Sequence, residues 1–236
     1  MAPPVAPSAE AIVEIWEQGL YQQPVDRALT ILSVLTDRPR QELAAMTLER
    51  RDSLLIQRRA QLFGGSFSGS STCAHCGCDV EVSVSADELD IPEERFVVKV
   101  ADTELTVQMP TSIDLAAAAR CDTVAAARRE LIRRCIQGSQ RDGDDSLGDD
   151  VVVAVEAELD RRAGVSAGVV HLTCPDCSHD WELELDVAGF MWREIEILAV
   201  RLLRQVDVLA RRYGWSEQAI LALSPGRRRF YLELDS

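Results

Sequence analysis

The chain has 236 residues, 47% of them hydrophobic, which is enough for one large or two small domains with a proper core. A formal net charge of -14 and a pI near 4.7 argue against a nucleic-acid or anionic-membrane partner, because both need a positive face to displace counterions. The charge is uneven: residues 138–160 carry eight acids against Arg141, whereas residues 190–236 carry eight arginines against six acids, so a basic patch at the C-terminal end stays open.

After a Pro-rich lead, Ser8 is placed to cap a helix running to about Gly19, with Ile12, Ile15 and Trp16 on one face. A second helix starts with Pro24 in its first turn and ends at Asp37-Arg-Pro39. A third runs from about Thr47 to the Gly64-Gly65 break, and its arginines (Arg50, Arg51, Arg58, Arg59) read as solvated helix surface. Gly64-Gly-Ser-Phe-Ser-Gly-Ser-Ser-Thr reads as a loop. It is followed by a strand in which Val80, Val82 and Val84 alternate with polar residues. Pro92 breaks the chain, and Arg95–Val100 and Glu104–Met109 form a hairpin around Asp102-Thr103. Helices are expected over Ile113–Ala119 with Thr111 or Ser112 as cap, over Thr123–Gln137, and over Asp150–Arg162 with Gly164 as terminator. In the middle helix Val124, Ala127, Leu131 and Cys135 share one side. The acidic, glycine-bearing segment between the last two is expected to be a mobile loop. Val169–Thr173 and Trp181–Asp186 read as strands, Gly189–Gly214 as a long helix, and two short helices capped by Ser216 and Ser224 complete the chain. No tandem repeat is visible.

Two cysteine pairs stand out: Cys73-Ala-His-Cys76 and Cys174-Pro-Asp-Cys177. A spacing of two residues lets consecutive thiolates of a tight turn grip one tetrahedral metal, and neither pair completes a four-ligand site alone. The expectation is one structural Zn²⁺ per chain, held by Cys73, Cys76, Cys174 and Cys177. The second pair, between two strands, has the form of a zinc-ribbon knuckle. Cys78, His75 or His179 could replace a cysteine ligand; His171 reads as an ordinary strand residue, and Cys121 and Cys135 as core fillers. Redox-active Cys-x-x-Cys is disfavoured because neither pair opens a thioredoxin-like βαβ unit. Seven cysteines fit a full disulfide framework poorly, and Met1–Ser8 lacks the basic start and apolar core of a signal peptide. With one lysine among 25 basic residues, this points to the cytoplasm of a bacterium, with particle association left open.

Catalytic machinery is not apparent: there is no Gly-rich phosphate loop and no His-Glu-x-x-His, and all three histidines flank the cysteine turns. Paired acids such as Asp144/Asp145 and Asp149/Asp150 lack EF-hand spacing. The expected fold class is α+β. Residues 1–67 form an N-terminal helical region, 68–89 and 168–188 a split zinc-ribbon-like β-sheet module, 90–167 an inserted β-hairpin with helices, and 189–236 a C-terminal helical region. Trp215, Arg227, Arg228, Phe230 and Tyr231 are core or inter-helix packing on the plain reading, and the best candidates for a partner surface on the functional one.

Trp16-Glu-Gln-Gly-Leu-Tyr, Asp26-Arg-Ala-Leu, Arg50-Arg-Asp-Ser-Leu-Leu, the two cysteine pairs, Met109-Pro-Thr-Ser-Ile-Asp-Leu-Ala and Tyr213-Gly-Trp-Ser-Glu-Gln-Ala-Ile-Leu-Ala-Leu-Ser-Pro-Gly-Arg-Arg occur in an order that resembles a family encoded beside contractile phage-tail-like particles. Those proteins are similar to T-even phage baseplate hub assembly proteins. The terminal Tyr-x-Trp-x-x-x-x-Ile-x-x-Leu pattern is also similar to one in small phage tail assembly chaperones. The resemblance implies a non-enzymatic assembly factor or baseplate-associated component of a contractile injection system, binding a hub, spike or tape-measure protein. The alternative from the cysteines is a zinc-ribbon nucleic-acid-binding or regulatory module. Self-association, and the role of the acidic 138–150 segment, stay open.

Overall fold

A computed structural model describes residues 7–85, 94–137, 147–163 and 169–234. The Pro-rich lead through residue 6, the break at Pro92, the acidic loop over 138–146 and the terminator Gly164 lie outside the described residues. The fold mixes helices with small antiparallel sheets, as an α+β chain should. Its elements are α1 (Ala9–Gly19), α2 (Pro24–Thr36), α3 (Arg40–Ala44), α4 (Leu48–Phe63), β1 (Ser66–Thr72), β2 (Asp79–Ser85), β3 (Arg95–Val100), β4 (Thr103–Gln108), α5 (Ser112–Ala118), α6 (Val124–Cys135), α7 (Asp149–Ala163), β5 (Val169–Thr173), β6 (Asp180–Glu184), α8 (Val187–Tyr213), α9 (Glu217–Leu221) and α10 (Pro225–Glu233).

Local chemistry sets the helix starts. Ser8, Thr47, Thr111, Thr123, Ser216 and Ser224 each accept a hydrogen bond from a first-turn backbone N–H, satisfying donors that an α-helix leaves orphaned. Thr111 is the cap of α5 and forms a reciprocal capping box with Asp114. α8 starts at Val187, two residues before the expected Gly189, because Asp186 accepts from the Gly189 N–H; Gly214 in the left-handed conformation ends it.

Packing divides into two cores. α8 buries Met191, Ile195, Ala199, Leu202, Val206 and Leu209, at spacings of three or four, against α1, α2, α4 and α9, so the N-terminal and C-terminal helices share one core. The second core lies within the excursion: Phe96 and Val98 of β3, Val107 of β4, Ile132 and Cys135 of α6, and Val152, Val155 and Leu159 of α7. The two meet where Thr47 bridges Thr111, the Leu48 N–H donates to the Pro110 carbonyl at 2.9 Å, and Arg51 Nη1 donates to Ser112 Oγ at 3.0 Å.

Four expectations change. The Ser/Gly stretch after Gly65 is strand β1, paired along its whole length with β2, because backbone hydrogen bonding to an adjacent strand needs no apolar side chains. Arg51 and Arg59 are buried, 7% and 4% exposed, because each guanidinium meets fixed partners. Val124 is 88% exposed; the buried side of α6 is Ile132 and Cys135. The β3–β4 turn sits at Ala101-Asp102, one residue early, with Ala101 at φ 49.

Gly19 shows how tightly the first core is closed. A Cβ there would lie 2.2 Å from the Trp192 ring, while Arg27 stacks on that ring at 4.5 Å and donates to the Gly19 carbonyl at 2.9 Å. Gly19→Ala is therefore expected to cost about 1–3 kcal/mol by overpacking, read as a lower urea midpoint with an unchanged slope.

Candidate metal centre

Two hairpins converge on the cysteines. In the first, β1 and β2 pair up to Thr72 opposite Asp79, and the turn between them is closed by the Cys73 N–H donating to the Cys78 carbonyl at 2.8 Å and the Gly77 N–H to the Cys73 carbonyl at 2.9 Å. The second repeats this arrangement. β5 and β6 pair up to Thr173 opposite Asp180, and the Cys174 N–H donates to the His179 carbonyl and the Ser178 N–H to the Cys174 carbonyl, both at 2.9 Å. Gly77 at φ 77 and Ser178 at φ 57 hold equivalent left-handed positions. In each hairpin a threonine hydroxyl donates to the facing aspartate at 2.7 Å, Thr72 to Asp79 and Thr173 to Asp180.

The sequence carries the signal for this duplication: Thr72–Val82 and Thr173–Leu183 share the pattern Thr-Cys-x-x-Cys-x-x-Asp-apolar-Glu-apolar. Superposing the two cysteine pairs, instead of looking for a tandem period, reveals it.

The hairpins face each other so that all four ligand sulfurs lie within 4.8 Å of one another. Cys73 Sγ is 3.7 Å from Cys177 Sγ, and Cys76 Sγ is 3.5 Å from Cys174 Sγ. Disulfide sulfurs sit at about 2.05 Å, so these pairs are not bonded. A tetrahedron with metal–sulfur bonds of about 2.3 Å puts sulfurs about 3.8 Å apart, and the observed separations match that cage. Cys73 and Cys174 are each 1% exposed, whereas Cys76 is exposed and Cys177 half-buried. The cluster can hold a metal ion, and its four protein donors would close the coordination shell.

Charge favours a cation here. Burial opposes ionisation of Cys174, but backbone N–H groups of Cys177 and Asp176 and the neighbouring Cys76 and Cys177 thiols bring it down to about 7. A backbone N–H from His179 favours the Cys177 thiolate, yet burial and the surrounding thiols push that group up to about 12. The cage thus accepts one negative charge readily, and thiolates at Cys76 and Cys177 need a cation between them. Metal uptake must release protons, and below about pH 7 protonation of Cys174 competes directly. Affinity for added Zn²⁺, measured by competition against a chromophoric chelator, is expected to fall steeply with falling pH even above 7, because Cys76 and Cys177 must also release protons, and to fall more steeply still below 7, where Cys174 joins them.

The substitute ligands lie outside the cage. Cys78 Sγ contacts the Asp79 carbonyl at 3.6 Å, and the neighbouring Asp176 carboxylate pushes its thiol up to about 12. His75 and His179 stack on each other at 5.6 Å, His179 stacks on Trp181 at 6.2 Å, and Trp181 Nε1 donates to Ser71 Oγ across the two hairpins at 3.4 Å. His171 is exposed beside Glu182. Cys135 is 1% exposed in the second core and Cys121 half-buried.

The C-terminal candidates separate by burial. Arg228 is 5% exposed and donates to the carbonyls of Leu221 and Leu223 at 3.2 and 2.6 Å, closing the end of α9. Trp215 is half-buried, stacked on Tyr213 at 4.8 Å and edge-on to Tyr231 at 4.9 Å. Phe230, 60% exposed, and Arg227 face outward. Among the described residues no helix is long and apolar enough to cross a membrane.

Neither a curated protein nor a solved structure matches this chain. Residues 22–154 do match a family described as T4 bacteriophage base plate protein, a stretch that takes in Cys73, Cys76 and all of the second core but Val155 and Leu159, and stops before Cys174. Because that match covers more than half of its length, the chain belongs to the T4 bacteriophage base plate protein family.

Proposed function

We propose that this protein is a non-enzymatic assembly factor or baseplate-associated component of a contractile phage-tail-like injection system, binding a hub, spike or tape-measure protein. The family match over residues 22–154 carries this reading. One Zn²⁺ bound by Cys73, Cys76, Cys174 and Cys177 has a structural role, since four thiolates leave no open coordination position for a reaction. The matching sulfur separations support it. The chain divides into helical ends (1–67 and 189–236), the paired knuckle hairpins (68–89 and 168–188) and the excursion they bracket (90–167).

Partner contact falls on the C-terminal helices. Phe230 and Arg227 are the accessible anchors, with Trp215 and Tyr231 supporting them from beneath; Arg228 serves them by fixing α9. Interfaces concentrate binding energy in such aromatic and arginine residues. Co-purification from bacterial cells expressing the whole particle gene cluster is the direct test. The tagged chain is expected to bring down a hub, spike or tape-measure component, and failure to associate with any of them would sink the reading. Phe230→Asp should cut that recovery at least tenfold while leaving thermal stability and zinc content unchanged.

A further inference from the structure

Among the described residues the outward face of α8 has no partner. Ile197 is 70% exposed and Val208 41% exposed. Between and around them stand Arg193, Arg201 and Arg204, all exposed and without an ion-pair partner among the described residues. Unpaired guanidinium groups flanking apolar residues on a chain of net charge -14 mark a local positive ridge.

The complementary feature lies on the same molecule. Between α1 and α9 runs a groove of about 450 Å³ with Val13 and Leu221 at its floor and Glu10, Glu14, Glu17 and Glu217 along its rim. None of these four carboxylates has an ion-pair partner among the described residues; Glu14 accepts only from Gln18. Glu10, Glu14 and Glu17 recur at intervals of four and three, the intervals that separate Ile197, Arg201 and Arg204 on α8. Both sets therefore form a row along one helix face with matching rise; Arg201 and Arg204 stand at the same spacing as Glu14 and Glu17 with opposite charge, and Ile197 adds an apolar contact.

We propose that the α8 ridge of one copy docks into the α1–α9 groove of a second copy. Such a contact joins different patches on the two molecules, so it closes into a ring or propagates head to tail instead of ending at a symmetric dimer. None of the ridge or groove residues is a ligand cysteine or Phe230.

Two double variants of exposed residues test this without touching either core. Arg201→Gln with Arg204→Gln removes the charge of the ridge; Glu14→Gln with Glu17→Gln removes that of the groove. By light scattering at low salt, the unmodified chain should exceed its monomer mass of 26.1 kDa at least twofold at high concentration, and return to monomer near 0.5 M salt, where the Debye length falls to a few ångströms. Each variant alone should be monomeric, with an unchanged melting temperature. Mixed in equal amounts, they should form a complex of twice the monomer mass and no larger, because one intact ridge meets one intact groove. A wild-type chain that stays monomeric under all these conditions, variants that still self-associate, or a mixture that yields no complex would each overturn the proposal.

Discussion

Chelating the metal from the intact protein is expected to separate the two hairpins while leaving most of the helix content in place. Structural zinc contributes about 10–16 kcal/mol in small zinc-finger peptides, which unfold without it. This chain differs because its largest core does not depend on the cage. α1, α2, α4 and α8 bury Ile15, Ile31, Leu32, Leu55, Ile195 and Leu209 in a cluster that contains none of the four cysteines. The hairpins have no such support. Among the described residues β1 and β2 pair only with each other, as do β5 and β6, and an isolated two-stranded hairpin is marginal in water. Val82 and Val170 rest on the first core as partly buried residues, which is too little area to fix the ribbons alone. Cys174→Ser should therefore abolish stoichiometric zinc, raise amide exchange across residues 66–85 and 169–184, and lower the melting temperature, with far-UV circular dichroism close to the wild type. Full thermal stability and full exchange protection after that substitution would refute a structural role for the metal cage. Collapse of all helical signal would show that the cage holds the whole molecule, not only the hairpins.

Short-range chemistry was the legible part of this fold. A hydroxyl cap, a first-turn proline or a terminal glycine acts within four residues, so the starts of α1, α2, α4, α6, α9 and α10 could be read from the sequence. The cage was legible for a similar reason: two residues between thiols is a property of one turn, and two incomplete pairs require each other. What could not be read depends on distant partners. β1 carries serine and glycine where a strand signal would need alternating apolar residues, and its strand state comes from the knuckle that folds it against β2. Amphipathic helices announce a buried face but not what covers it, so the union of the N-terminal and C-terminal helices in one core became visible only in three dimensions. The buried arginines are the sharpest case. Arg58 and Arg59 are adjacent in sequence, yet Arg58 bonds Gln61 in an exposed pair while Arg59 reaches a carboxylate 135 positions away.

That long-range pair is where the second large effect is expected. Arg59 is 4% exposed and engages Glu194 through both arms: Nε to Oε2 at 2.9 Å and Nη2 to Oε1 at 2.8 Å. Its remaining nitrogen, Nη1, donates to the carbonyls of Gly64 and Ser66, each at 2.8 Å, and its guanidinium lies over Phe190 at 5.1 Å. One side chain thus ties the end of α4, the start of β1 and the first turns of α8 together. Arg59→Met keeps the aliphatic volume but strands a carboxylate and two carbonyls. Removing one partner of a buried pair costs about 3–5 kcal/mol, and the 23% exposure of the Glu194 side chain puts this case near the lower end. Arg59→Lys should recover little, because an ammonium cannot reproduce the planar two-armed contact. Arg59→Met combined with Glu194→Leu should recover part of the loss, since no charge is then left buried alone, although the two carbonyls stay unpaired. Urea unfolding gives the energies, and amide exchange over residues 64–72 reports whether β1 has come loose from the helices. Wild-type stability in Arg59→Met would mean that packing against Phe190, not the charge pair, joins the first hairpin to α8.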